Sequence, residues 1–373
     1  MKLNKNKVEQ ALKQVIFPDS KNNIISMRAV KNIQIFKNEI EIDIEINNPT
    51  LQYKNNIEIN CVKAIQQSVD EKVSVKINFI IKILDKSNQI KGQSIPGVKN
   101  IIAIASGKGG VGKSTVSANL SVSLSELGYN VGLIDADIYG PSMPIMFDLE
   151  GAKPEGITVE GKTKIKPIKK YGVKLLSIGF FVRDKALVWR GPMASKALNQ
   201  LIWDAEWGEL DYLIIDLPPG TGDIHLSLVQ SLPLTGAIIV STPQPIALAD
   251  ARKAINMFCL DSINVPVLGI IENMSYFVPE DMKDKKYFIF GKNGASKLAK
   301  EMKVNFLSEL PIAQVIREAG DKGKPVVLKN SNIYKDSFIL LSQRIIKLIN
   351  QRNIEETPTK AVQITHSKGC SPK

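Results

Sequence analysis

The stretch GKGGVGKST, residues 107–115, decides how this chain is read. It contains the spacing G-x-x-x-x-G-K-[ST], with Gly107, Gly112, Lys113 and Ser114 at the fixed positions. The strand-like run NIIAIAS precedes it and the helix-like STVSANLSVSLSEL continues from it, which is the context the spacing requires. Glycines let successive backbone N–H groups turn inward around phosphate oxygens. The helix N-terminus adds favourable partial charge. A nucleotide is therefore expected on Gly107, Lys108, Gly109, Gly110, Val111, Gly112, Lys113, Ser114 and Thr115. Lys113 is expected to reach the β- and γ-phosphates and the Ser114 hydroxyl to ligate Mg²⁺. Thr115 caps the helix or touches the α-phosphate.

Working outward, two more segments supply carboxylates at strand ends, where ligands bind in open α/β sheets. LIDADIYGPS carries Asp135 and Asp137, and LIIDLPPGTGD carries Asp216 before a Pro/Gly loop. An acidic residue after an apolar strand is the usual Mg²⁺ partner of such a loop, so Asp216 is assigned to the Mg²⁺ shell. Asp137 is assigned to positioning the attacking water, and Asp135 to support of the metal shell. Asp223, just before DIHLSLVQ continues, reads better as a helix cap than as a catalytic group. Water is the expected acceptor of the phosphoryl group, since no separate acceptor pocket is apparent, giving ADP and phosphate from ATP. Lys113 and Mg²⁺ would stabilise the charge on that group.

The surrounding pattern sets the fold class. From residue 100 onward, YNVGLIDAD, VKLLSIGF, DYLIIDLP, GAIIVSTP and VPVLGIIENM are apolar runs, mostly without alternation, as in strands buried on both faces. Helix-like stretches such as ALADARKAINMF lie between them. The expectation is α/β: a mostly parallel sheet covered by helices on both faces. Residues 1–85 read as a small α/β domain, with the alternating strand EIEIDIEI and a helix near 54–69. Residues 86–99, KSNQIKGQSIPGVK, read as a linker. The ATPase domain is expected over 100–352 and a polar tail over 353–373.

Bulk composition excludes several classes. No apolar run approaches 18 residues, and MKLNKNKVEQALKQV lacks a signal-peptide core, so the expectation is a cytoplasmic protein. The net charge of +12 is spread along the chain without a dense Lys/Arg cluster, so no specific nucleic acid and no membrane partner is expected. Cys61, Cys259 and Cys370 are far apart, so neither a disulfide framework nor a local metal knuckle is expected. Cys61 and Cys259 read as buried small hydrophobes on helices. The two histidines, His225 and His366, add little.

GKGGVGKST also resembles the deviant phosphate loop of the MinD, ParA and nitrogenase-iron-protein class. That resemblance implies a homodimer with nucleotide at its interface, in which Lys108 of one copy reaches the nucleotide of the other. Together with DADIYGPSMP, WRGPMASKAL, WGELDYLIIDLPPGTGDIHL, STPQPIALADARKA and GIIENMSYF, it resembles the Mrp/ApbC iron–sulfur cluster carrier ATPases over about residues 100–330. The N-terminal domain is similar to the small iron–sulfur assembly domain often fused to them. The resemblance implies that Asn273 contacts adenine and that the segment around Pro311 closes over the base. It implies apoprotein clients or assembly proteins as partners. It also implies a 4Fe–4S cluster held by a Cys-x-x-Cys pair from each subunit, just after ENMSYF. Here that segment reads VPEDMKDKKYFIFG and has no cysteine. Cysteine is missing as well from NPTLQYK, where relatives often carry one. Cys370 is the remaining candidate ligand in the tail. Otherwise Tyr287, Phe288 and Phe290 make the loop an interface of a scaffold or client-binding ATPase.

Two other classes share the loop. A ParA-like, DNA-associated ATPase would use the positive charge, although PPGTGD and the N-terminal domain argue against it. A MinD-like, membrane-cycling ATPase would need a terminal amphipathic helix. SFILLSQRIIKLINQR, with Phe338, Leu341, Ile345, Leu348 and Ile349, is apolar beyond one stripe and reads as core packing.

Overall fold

The computed structural model describes residues 4–356, apart from 19–21, 37–38, 47–50, 71–72, 82–94, 182–190, 223–224, 227, 230–231, 280, 283–284 and 330–332. Asp223, Cys370, His366, NPT of the N-terminal domain and most of the expected linker and tail lie outside the described residues. The chain forms two compact units, Met1–Asn88 and Gln89–Lys373.

In the first unit, a helix at Lys5–Leu12 is capped by Asn4, whose side chain accepts from Asn6 N at 3.0 Å. Strands β1 (Val30–Phe36), β2 (Glu39–Ile46) and β3 (Ser74–Ile81) form one sheet with β2 central. β1 runs antiparallel to β2 and β3 parallel to it. A parallel neighbour needs a crossover, and the helix Leu51–Ser68 supplies it. The period-two alternation of EIEIDIEI sends Ile40, Ile42, Ile44 and Ile46 into the core with Val8, Leu12, Ile57, Cys61 and Ile65.

The second unit is built on eight strands in the order β13-β12-β11-β4-β10-β5-β9-β8. They are β4 (Val98–Ala105), β5 (Val131–Asp135), β8 (Ile168–Lys170), β9 (Val173–Ser177), β10 (Leu210–Asp216), β11 (Gly236–Ser241), β12 (Val267–Glu272) and β13 (Phe306–Glu309). All neighbours are parallel except the edge pair β8–β9. Alternate residues of each central strand feed opposite layers. Ile102 and Ile104 face the helices Lys113–Glu126 and Ile333–Glu355, while Ile101, Ala103 and Ala105 face Gly191–Trp203, Pro245–Phe258 and Gly294–Met302. This is the expected α/β architecture.

The C-terminal helix buries Phe338, Leu341, Ile345, Ile346 and Ile349 beside the helix that follows the phosphate loop. Its apolar stripe is therefore engaged in the core, as its sequence suggested. Among the described residues, no helix is long and apolar enough to cross a membrane. The sequence reading did not anticipate the antiparallel hairpin β6 (Glu155–Val159) and β7 (Lys162–Lys166). KTKIK is too lysine-rich to read as an apolar strand. Its Ile165 is tied to the body by Ile165 N to Asp204 O, 2.7 Å, and Glu206 N to Ile165 O, 2.8 Å.

One cysteine expectation needs correcting. Cys61 is buried, and burial pushes its thiol up to about 12, with Glu58 adding to the effect. Cys259, however, is exposed. The helix ends at Phe258, so Cys259 sits one residue past the stripe formed by Ala251, Ala254, Ile255 and Phe258.

Candidate nucleotide site

The phosphate loop lies between the C-terminal end of β4 and the helix Lys113–Glu126, at the centre of the sheet. Gly112 enters the helix with φ +81°, and a Cβ there would meet Asn273 Nδ2 at 2.2 Å. Both the left-handed backbone and the contact exclude a larger residue. Gly107 is confined differently: an added Cβ would lie 2.1 Å from the backbone of Asp250. At Gly109 and Gly110 an added Cβ would meet nothing within 4 Å, so the loop is open on that side. Among the described residues, no N–H group of residues 107–115 donates a hydrogen bond.

Lys113 reaches into this loop's floor. It is only 5% exposed, and its Nζ lies 3.0 Å from Asp216 Oδ1 and 3.8 Å from Asp137 Oδ2. The contacts are ionic, without hydrogen-bond geometry, so the buried ammonium keeps its donors unmatched. The two carboxylates offset part of its desolvation cost, and its donors, free of hydrogen bonds, can still meet a further anion. The open glycine side, the undirected N–H groups and this ammonium together fit a polyphosphate.

Asp216 is the hub. Parallel register places it beside Asp135 on β5 and Ile104 on β4. Its Oδ2 accepts from Ser114 Oγ at 2.6 Å and its Oδ1 from Ser117 Oγ at 2.6 Å. Ser114 and Asp216 thus offer two hard oxygen donors side by side, the donor type that suits Mg²⁺. Ser117 was missed in the sequence. Its only signal is its place three residues after Ser114, on the same helix face.

Asp135, expected to support the metal shell, is hydrogen-bonded through both carboxylate oxygens. Its Oδ2 accepts from Ser177 Oγ at 2.8 Å and Met143 N at 3.1 Å, and its Oδ1 from Asp137 N at 3.2 Å. Both oxygens hold the loop that carries Asp137. Asp137 Oδ1 in turn accepts from Tyr139 N and Gly140 N, each at 3.3 Å. Lys108 is exposed on the loop and makes no ion pair among the described residues. Asn273 lies against the phosphate loop, its Nδ2 donating to Val111 O at 2.9 Å. Pro311 runs alongside: Leu310 N donates to Glu272 O at 2.8 Å and Ile312 N to Tyr276 O at 2.7 Å.

The loop after ENMSYF turns back on itself through paired Phe277 and Tyr287 backbones. Tyr287 and Ile289 are exposed, and Lys286 Nζ sits 3.8 Å over the Tyr276 ring. Among the described residues, no group of three or more His, Cys, Asp or Glu side chains could hold a metal.

Two buried groups shift in opposite senses. Burial, reinforced by Asp216, pushes the Asp135 carboxyl up to about 7. Burial pushes the His225 imidazole down to about 4. A histidine held neutral contributes stability above its unfolded value of 6.5 and loses it as pH falls towards 4. A raised carboxyl acts the other way, costing stability at high pH and regaining it as pH falls through 7. The two offset in the wild type. In the metal- and nucleotide-free protein, Asp135→Asn is therefore expected to make the urea midpoint fall more steeply between pH 6.5 and 4. A slope equal to that of the wild type contradicts this.

Fold and site together define a P-loop NTPase. The chain belongs to the NUBPL iron-transfer P-loop NTPase family, whose model matches residues 97–346. A second model, the iron–sulfur cluster assembly protein, matches residues 5–78. The chain is 52% identical over 265 residues to the iron–sulfur cluster carrier protein of Aquifex aeolicus, covering 70% of this chain and 71% of that one. It is 37% identical over 370 residues to the protein of the same name in Helicobacter pylori, covering 98% of each. Among solved structures it is similar to the nucleotide-binding protein of Archaeoglobus fulgidus in complex with ADP. The identity there is 37% and the TM-score 0.55, over 64% of this chain and 93% of that chain. The iron–sulfur carrier resemblance and the parallel P-loop fold read from the sequence both hold.

Proposed function

We propose that this chain binds and hydrolyses ATP with Mg²⁺, and uses that cycle to take up an iron–sulfur cluster or pass it to apoproteins in the cytoplasm. The observation that carries the nucleotide half is the buried, unmatched Lys113 ammonium beneath an open glycine loop. Backbone N–H groups of residues 107–115 and Lys113 would bind the phosphates. Ser114 and Asp216 would hold Mg²⁺, which when bound neutralises charge on the phosphate oxygens. Asp137, fixed through Asp135, orients the attacking water. Asn273 and the Pro311 segment border the base. The iron half rests on family membership, and the cluster is cargo. Cys61 is buried, Cys259 is exposed and Cys370 lies outside the described residues. The loop at 278–291 has no thiol, so client or assembly-protein ligands complete the cluster's coordination.

The test is anaerobic incubation with iron and sulfide, reading bound iron and the visible spectrum with and without an apoprotein acceptor. Expected is iron that is retained weakly by the chain alone and delivered to the acceptor with ATP. No iron uptake and no delivery under either condition would refute the cargo reading.

Lys108 extends the proposal to a homodimer with nucleotide at its interface. What supports this is that Lys108 is exposed on the phosphate loop and makes no ion pair among the described residues. Lys108→Ala is expected to weaken ATP-dependent dimerisation in sedimentation. An unchanged dimer together with an unchanged turnover rate excludes the role.

A further inference from the structure

We infer that His225 is a positioning residue of the phosphate site: its Nδ1–H holds the Pro218 carbonyl, and so fixes the turn that presents the Asp216 carboxylate to Ser114. The inference rests on the reading of Ser114 and Asp216 as the Mg²⁺ side of the site.

The turn after β10 begins at Asp216 and runs Leu217-Pro218-Pro219-Gly220. Two of its N–H groups are tied to the strand that enters the phosphate loop. Leu217 N donates to Ile104 O at 3.0 Å and Gly220 N to Ser106 O at 2.8 Å. Between them stand two prolines, which have no N–H to donate. Of the turn's carbonyls, that of Pro218 is met by His225 Nδ1 at 3.2 Å. A carbonyl only accepts, so Nδ1 carries the proton and Nε2 carries the lone pair.

That tautomer is enforced by the surroundings. His225 is only 2% exposed, and its Nε2 has no hydrogen-bond partner among the described residues. A proton on Nε2 would be buried without an acceptor. The Phe258 ring stands edge-on to the imidazole, with centroids 6.0 Å apart, and limits its rotation. Burial and the nearby Lys113 charge both disfavour the imidazolium. The result is a neutral, oriented donor serving one carbonyl. It touches no reacting group in this geometry. It acts through the turn on Asp216, as outer partners of metal ligands do.

The experiment compares wild type, His225→Ala, His225→Asn and His225→Gln in two readouts: the Mg²⁺ dependence of ADP binding and of ATP turnover, with thermal melting as a control on folding. His225→Ala is expected to raise the Mg²⁺ concentration needed for half-maximal effect by about tenfold or more, and to lower kcat more than it raises KM. ADP binding without Mg²⁺ stays as in the wild type. Asn places an amide N–H where Nδ1 lies and is expected to recover most of the loss. Gln places its amide nearer Nε2 and is not. If His225→Ala does not fold, the Asn and Gln pair decides on the same criterion. Equal Mg²⁺ dependence in Ala and wild type, or equal impairment of Asn and Gln, overturns the inference. If the wild type binds ADP with Mg²⁺ but turns over no ATP, the hydrolysis reading fails while the binding readout still judges His225.

Discussion

Lys113→Ala is expected to lower ATP turnover by roughly 10²–10³-fold and to weaken ATP binding sharply. Lys113 Nζ is buried beneath the glycine loop, 3.0 Å from Asp216 Oδ1, and its donors are unmatched by hydrogen bonds. A charge fixed in a water-poor site interacts with phosphate far more strongly than one in solvent, and it needs no reorganisation as charge shifts in the reaction. Removing it takes away the clamp on the transferring phosphoryl group. It also leaves Asp216 buried without its cation, so some loss of stability accompanies the loss of binding. Binding and turnover are read together, with melting as the control. Nucleotide affinity equal to that of the wild type defeats the assignment.

The second large effect falls on rate alone. Asp137→Ala is expected to keep ATP bound while slowing hydrolysis by about 10²-fold or more. Asp137 lies 3.8 Å from Lys113 Nζ, too far for a tight pair, and its Oδ1 is held by the Tyr139 and Gly140 N–H groups. Its carboxylate is thus oriented by the loop and not by the ammonium. Behind it, Asp135 holds the Asp137 N–H and the Met143 N–H, tying the loop to Ser177 on β9. Single-turnover measurements separate the two steps. Weakened binding with normal turnover per bound ATP would place Asp137 in binding instead.

What was legible in the sequence follows what phosphate and buried sheets demand. A polyphosphate needs glycines, a lysine and a hydroxyl at fixed spacing, so residues 107–115 could be read directly. Strands covered on both faces must be apolar throughout, so β4, β5, β10, β11 and β12 stood out. Ser117 did not, because a serine inside a helix has many uses and only the fold aims it at Asp216. Asp135 was placed at the right strand end, but its partners come from Met143 and Ser177, remote in sequence. His225 had no motif around it. Its meaning comes from the fold, which brings its Nδ1 to the Pro218 carbonyl in a turn where two prolines have no N–H to donate. Cys259 read as buried because its helix is apolar, yet the stripe stops one residue earlier. The β6–β7 hairpin was hidden by its lysines.

The absent Cys-x-x-Cys after ENMSYF sets the most consequential question for this member of the family. No thiol stands at 278–291, and among the described residues no group of three or more His, Cys, Asp or Glu side chains could hold a metal, so the proposed function has the cluster's coordination completed by ligands lent by others. The loop offers Tyr287 and Ile289 to solvent in that place.

The most direct test of the central claim is activation of an apo-4Fe–4S enzyme by this chain after anaerobic loading with iron and sulfide, measured with ATP for the wild type and Lys113→Ala. The expected result is activation by the wild type that requires ATP and is lost in the variant. Equal activation by both proteins, or none by a wild type that turns over ATP, would contradict the coupling of this phosphate site to iron–sulfur transfer.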